Sequence, residues 1–142
     1  MAHPDAPPLQ VIAMHGWSGE ARHWAPWQQA AAARGWTWQS GERGYGEAPP
    51  WMPLWAEEGL RVVIAHSLGL QLLPQQLLER AEAIVLLASF SRFVPAGSGG
   101  RPLRTALEAM GALLGESTSA RTMLQTFLAR AASPESLQLL PP

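Results

Sequence analysis

Three short apolar runs set the rhythm of the first two thirds of the chain: Leu9 to Met14 (LQVIAM), Leu60 to Ala65 (LRVVIA) and Ala83 to Ala88 (AIVLLA). Each is too short for an ordinary helix, carries no turn residue inside it, and gives way to His, Ser or Gly, so each predicts a buried strand running into a loop. Between the first two, Ala21 to Arg34 turns to a helical pattern with an alanine run at Ala30 to Ala33, and Gly35 stands where a C-terminal cap belongs. Trp36 to Gln39 predicts another strand, Ser40 to Pro50 a loop, and Pro53 to Glu58 a short helix stopped by Gly59. Leu68 to Arg80 predicts a helix kinked at Pro74, which lacks an N–H and crowds the preceding turn. Strands that alternate with helices and are apolar on both faces imply an α/β layer architecture, with a mostly parallel sheet flanked by helices and right-handed crossovers.

After Val94 the pattern changes. PAGSGGRP predicts a flexible link, and Leu103 to Leu140 is helical in pattern, with breaks at Gly115 and at Ser133-Pro134. The expected organisation is therefore a sheet-bearing part over residues 1–94 and a helical lid over residues 95–142.

A chain of 142 residues is the size of one domain, large enough to bury roughly 68–70% of its unfolded surface. Hydrophobic residues make up 47%, charged residues 15%, and the net charge is −1, which is a globular composition without the basic footprint of a nucleic-acid binder. With no cysteine, disulfides, thiolate catalysis and cysteine-bound zinc are excluded. The opening MAHPDAPPLQ has no charged region followed by an apolar stretch, and no segment reaches ~18 uninterrupted apolar residues, so neither a signal peptide nor a membrane span is expected and the default location is cytoplasmic. All seven tryptophans lie between Trp17 and Trp55, where packing is the ordinary role for so large a ring.

The chemistry is concentrated where the Leu60 strand ends, in Ala65-His66-Ser67-Leu68-Gly69. A serine that attacks a carbonyl must be held out of the sheet on a tight strand-to-helix turn, and the residues two before and two after it must be small. Ala65 and Gly69 are small, with alanine in place of the usual first glycine. A second motif, AMHGWSG at Ala13 to Gly19, puts His15-Gly16 directly after the first strand, where the backbone N–H groups of a loop can face the serine. His15 is expected to shape that loop, His66 to pack on the far face of its strand, and His23 to lie at the surface.

Taken in order, HGWSG, GYGEAPP, VVIAHSLG and IVLLASFSRFV resemble the α/β-hydrolase family, and within it the small esterases that cleave pimeloyl-[acyl-carrier protein] methyl ester in biotin synthesis. The resemblance covers Leu9 to about Val94 and extends only loosely into the helical part. It implies Ser67 as nucleophile, the backbone N–H groups of Trp17 and Leu68 as oxyanion hole, and Trp17, Phe90 and Phe93 as the lining of an acyl pocket. The Leu68 N–H would also open a helix, where unpaired donors and the dipole favour a developing anion. No cofactor and no metal are implied; the partner is a small ester or one linked to an acyl-carrier protein.

The same family runs its triad from serine to acid to histidine. After Ser67 this sequence has no histidine and no aspartate, and its downstream acids are Glu79, Glu82, Glu108, Glu116 and Glu135. An unassisted serine is a poor nucleophile, so the expectation is a truncated hydrolase lacking the C-terminal part of the fold, weak or inactive alone. Its Ala83 strand would then present an uncovered sheet edge through which the chain could self-associate. The alternative is a non-catalytic module that binds an acyl group or a carrier protein. Dinucleotide binding is disfavoured because Gly44 and Gly46 have no third glycine and no helix opening on them. A dehalogenase would need an acid at position 67. Residues 95–135 carry a net +1 against −2 for residues 1–94, which makes Arg101 and Arg104, three apart, the candidates for docking an acidic carrier protein.

Overall fold

The computed structural model describes residues 7–133, which divide into two units at Ser91/Arg92. The first holds strands β1 (Leu9–Met14), β2 (Thr37–Gly41), β3 (Leu60–His66) and β4 (Ala83–Leu87), with helices α1 (Ala25–Ala32), α2 (Gly69–Leu72) and α3 (Gln75–Glu79). A 3-10 turn at Ala21–Trp24 leads into α1. The strands form one parallel sheet in the order β2-β1-β3-β4, with Val11 opposite Trp38 on one side and Val62 on the other, and Val63 opposite Ile84. The α/β reading of the sequence is thus correct at the level of class, and all three apolar runs are strands within a residue of their expected ends.

The alternation of β1 and β3 supplies a core on each face of the sheet. Ile12, Met14, Val63 and Ala65 point to one side, where Leu73 and Leu77 cover them. Val11, Ala13 and Ile64 point to the other, where Trp24 covers them. This two-sided burial is why β1 and β3 read as continuous apolar runs. β4 is one of the two outer strands, and its Ile84, Val85 and Leu86 are 44%, 41% and 50% exposed. The tryptophans divide: Trp24 is buried against Trp38, with ring centroids 6.0 Å apart, while Trp27, Trp36 and Trp51 are exposed.

Two expectations need correction. Pro53 to Glu58 is not a helix. Its backbone groups are taken by two glutamines from neighbouring strands: Gln39 accepts from the Leu54 N–H and donates to the Leu54 carbonyl, while Gln10 accepts from the Ala56 N–H and donates to the Glu58 carbonyl. A segment whose N–H and C=O groups are satisfied in this way has no need of an i to i−4 ladder. The helix expected over Leu68 to Arg80 is not kinked but divided into α2 and α3. Leu73, the residue before Pro74, is extended at φ −88°, ψ 142°, as the steric demand of the proline ring on its predecessor requires.

In the second unit a 3-10 turn at Gly97–Gly100 leads directly into α4 (Arg101–Leu113), with Pro102 in its first turn, so part of the expected flexible link is ordered turn and helix. α5 (Ser117–Ala132) follows after the break at Gly115. α5 ends at Ala132 and Ser133 leaves the helix (φ −54°, ψ 135°), where the second break is expected; Pro134 and the helical pattern beyond it lie outside the described residues. Among those residues, no helix is long and apolar enough to cross a membrane.

Candidate active site

β1 connects to β2 on one side and β3 to β4 on the other, so the carboxyl ends of β1 and β3 lie where the connections run in opposite directions, the usual location of a ligand site in an open parallel sheet. The His15–Gly19 loop leaves β1 at this place, and Ser67 leaves β3.

Ser67 has φ 52°, a left-handed conformation that a non-glycine residue adopts at a cost of order 1–3 kcal/mol. The surroundings hold it there. Its N–H donates to the Leu87 carbonyl at the end of β4 (2.9 Å), and its carbonyl accepts from Ser89 Oγ (2.7 Å). Gly16 passes so close that a Cβ on it would stand 2.9 Å from Ser67 Cβ and 3.4 Å from Ser67 Oγ. A Cβ at Gly69 would run into the Met14 carbonyl. These two approaches give the physical reason for glycine after the first strand and for a small residue two places after the serine. Ala65, two places before it, is fully buried. Ser67 itself is half-buried, and its hydroxyl has no hydrogen-bond partner among the described residues.

Leu68 follows in helical conformation (φ −69°) as the N-cap of α2. Because α2 has only four residues, the macrodipole anticipated from a long helix is not available, and anion stabilisation at Leu68 falls to the N–H itself. Trp17 lies in the turn after β1, half-buried. Phe90 is half-buried in the first unit, its carbonyl accepting from Gln71 Nε2 at 2.6 Å, whereas Phe93 belongs to the second unit and is 48% exposed.

His15 is buried, and both ring nitrogens are engaged. Nδ1 donates to the Gly16 carbonyl (2.8 Å), and Nε2 faces the Arg43 N–H and Glu42 Oε1, each at 3.3 Å. It fastens the loop. His66 is exposed at the end of β3 and is not the packing residue it was expected to be. Desolvation by the protein around its ring still lowers its pKa, and the neighbouring His15 and His23 lower it further, so it is neutral at pH 7. His23 is exposed, its Nδ1 accepting from the Glu20 N–H at 3.3 Å.

The residue that sequence reasoning missed is Glu42. Its buried carboxylate accepts from the Ala21 N–H (2.8 Å) and the Gly44 N–H (2.7 Å) as well as facing His15, and its own backbone pairs with Trp51 in an antiparallel bridge. Burial pushes its pKa up, but these donors and His15 together outweigh burial and hold it below the usual carboxylate range. One ionised side chain thus ties together the loops after β1 and β2. Its position just past the carboxyl end of a strand, in a glycine-rich loop, was the available signal.

No family model matches this chain, and comparison with curated proteins and with solved structures likewise finds no match. Among the described residues no group of His, Asp and Glu could hold a metal ion.

At the start of α4, Arg101 is exposed and Arg104 turns back on the preceding loop, donating to the carbonyls of Gly97 (2.8 Å) and Pro95 (3.4 Å). Of the two docking candidates, Arg104 therefore has a structural task of its own.

Proposed function

We propose that this chain is a serine carboxylic-ester hydrolase of α/β-hydrolase type, with Ser67 as the nucleophile that attacks the ester carbonyl. The observation that carries the reading is the left-handed Ser67 turn between β3 and α2, held at the carboxyl ends of β1 and β3 with Gly16 against it. Strain at such a position persists only where the surroundings over-determine it, and it lifts the hydroxyl out of the strand. The N–H groups of Leu68 and Trp17 would receive the oxyanion. The four sequence segments that resemble pimeloyl-[acyl-carrier protein] methyl ester esterases support a medium-chain acyl ester as substrate, with residues 95–142 as lid. Arg101 is the cleaner candidate for carrier-protein contact, since Arg104 is engaged locally.

One observation favours a second reading, a binding module without chemistry. The buried histidine nearest the serine loop has both nitrogens engaged away from Ser67. A fluorophosphonate probe separates the two. Slow but stoichiometric labelling of the 142-residue chain, abolished by Ser67→Ala, is the expected result for an esterase nucleophile lacking an efficient base. Absence of labelling, with retained binding of a medium-chain ester, would establish the binding module instead.

A further inference from the structure

The helical unit contains a groove of about 520 Å³ between α4 and α5, within the roughly 300–1,000 Å³ of small-molecule sites. Met110 and Leu113 form one wall; Met123 and Phe127 contribute apolar surface to the other. The hydroxyl-bearing residues of α5 that also line it do not make it polar. Thr122 Oγ1 donates to the Thr118 carbonyl (3.1 Å), Thr126 Oγ1 to the Thr122 carbonyl (2.9 Å), and Ser119 Oγ to the Glu116 carboxylate (2.5 Å). With those donors satisfied within the helix, the threonines can add their methyl groups to the apolar surface.

The exception is Arg130. It lines the groove at the end away from the α4–α5 connection, and its guanidinium has no ion-pair or hydrogen-bond partner among the described residues. From Thr118 to Arg130 the α5 wall is ~18 Å long at 1.5 Å per residue. An open apolar groove, walled along α5 and flanked at its Thr118 end by Met110 and Leu113, with one cation at its other end, is complementary to a linear hydrocarbon with one anionic terminus.

We infer that this groove binds the anion of a linear fatty acid, the hydrocarbon chain lying along Met110, Met123 and Phe127 and the carboxylate pairing with Arg130. The site shares no residue with the proposed esterase centre. Failure of Ser67 labelling leaves it standing, and its own failure leaves the esterase reading intact.

The chain contains five methionines, which makes the test direct. In the intact chain labelled with 13C at the methionine methyls, titration with dodecanoate below its micelle concentration should move the Met110 and Met123 signals. Met14, buried in the sheet core, should stay in place. Arg130→Gln should weaken dodecanoate binding by about tenfold or more, as loss of a charge-assisted contact does, and leave binding of neutral dodecanol unchanged. Arg130→Lys should restore most of the difference. Shifts at Met14 or Met52 with Met110 and Met123 unmoved would overturn the proposal. So would equal affinity of the parent chain and Arg130→Gln for dodecanoate while far-UV circular dichroism shows both equally helical.

Discussion

The two units are stabilised by different means. In the sheet unit Ile12, Met14 and Val63 are essentially inaccessible to water on one face, under Leu73 and Leu77, and Trp24 covers Val11, Ala13 and Ile64 on the other. In the helical unit neither α4 nor α5 buries a residue below the surface, and what fixes the helices is chemistry at their ends: Pro102 in the first turn of α4, Arg104 on the loop before it, and Glu116 capping α5. Burial makes a structure cooperative because every packed atom depends on several elements at once. Capping makes a structure local. The sheet unit can therefore hold a strained serine in place, while the helical unit keeps an open apolar groove.

The contrast is broken most strongly by a cavity in the sheet. Ile12→Ala should cost about 2–5 kcal/mol, the range for removing a buried aliphatic side chain that neighbours cannot replace. Since all seven tryptophans lie in the sheet unit, tryptophan fluorescence should show its melting temperature falling, while the Met110 and Met123 methyl signals of the helical unit hardly change at temperatures below that melt. Simultaneous loss of both signals would show one cooperative block in place of two.

A smaller effect of the same kind is expected at Glu42. Glu42→Gln keeps the shape but loses the charge and one acceptor, which should cost about 1–3 kcal/mol at pH 7, the penalty for leaving buried donors poorly paired. Because the carboxyl pKa is lowered in the folded chain, its stabilisation is present above the unfolded value and is lost as pH falls through the folded value. The parent chain should therefore lose stability on acidification below about pH 4.5 more steeply than Glu42→Gln, so that denaturation curves of the two converge in acid. Curves that stay parallel from pH 7 down would show that the ionised form of Glu42 does not bind the loops.

How legible each part was follows from the range of the interactions that decide it. β1 and β3 are readable because a strand in a parallel sheet carries its burial on both faces in its own residues, and β4 because its run Ala83 to Leu87 is apolar throughout although its middle residues are exposed. The Ser67 turn is readable because small residues must flank it within five positions, and Gly69 and Gly16 each meet a backbone or side chain that leaves no room for a Cβ. Pro53 to Glu58 was not readable as a non-helix, because the groups that satisfy its backbone belong to Gln10 and Gln39 on other strands. Glu42 was missed for the same reason: its partners at residues 15, 21 and 44 meet only when two loops converge. The division at Pro74 lay between these cases. The proline was visible, but whether it bends or ends a helix depended on Leu73 packing into the core in extended form.

The smallest expected effect sharpens the other side of the comparison, at the start of α5. Glu116 sits before the helix in extended conformation and accepts from the N–H groups of Thr118 (2.9 Å) and Ser119 (2.8 Å), two of the donors that the first helical turn cannot satisfy for itself. With the Ser119 hydroxyl as the largest contributor and these two N–H groups behind it, the carboxyl is held down to about 2. A pKa lowered on folding means that the cap acts above the unfolded value near 4.5 and is withdrawn as pH falls through about 2. Amide exchange of Thr118 and Ser119 should therefore be slow at pH 5 relative to Glu116→Ala. As the carboxyl is protonated toward pH 2, the two chains should come to exchange alike. Because the cap is exposed and serves one helix, tryptophan fluorescence of the sheet unit should not register the substitution at all. A matching loss of sheet stability in Glu116→Ala would mean that α5 is coupled to the sheet core, and that burial and capping do not divide between the two units as described.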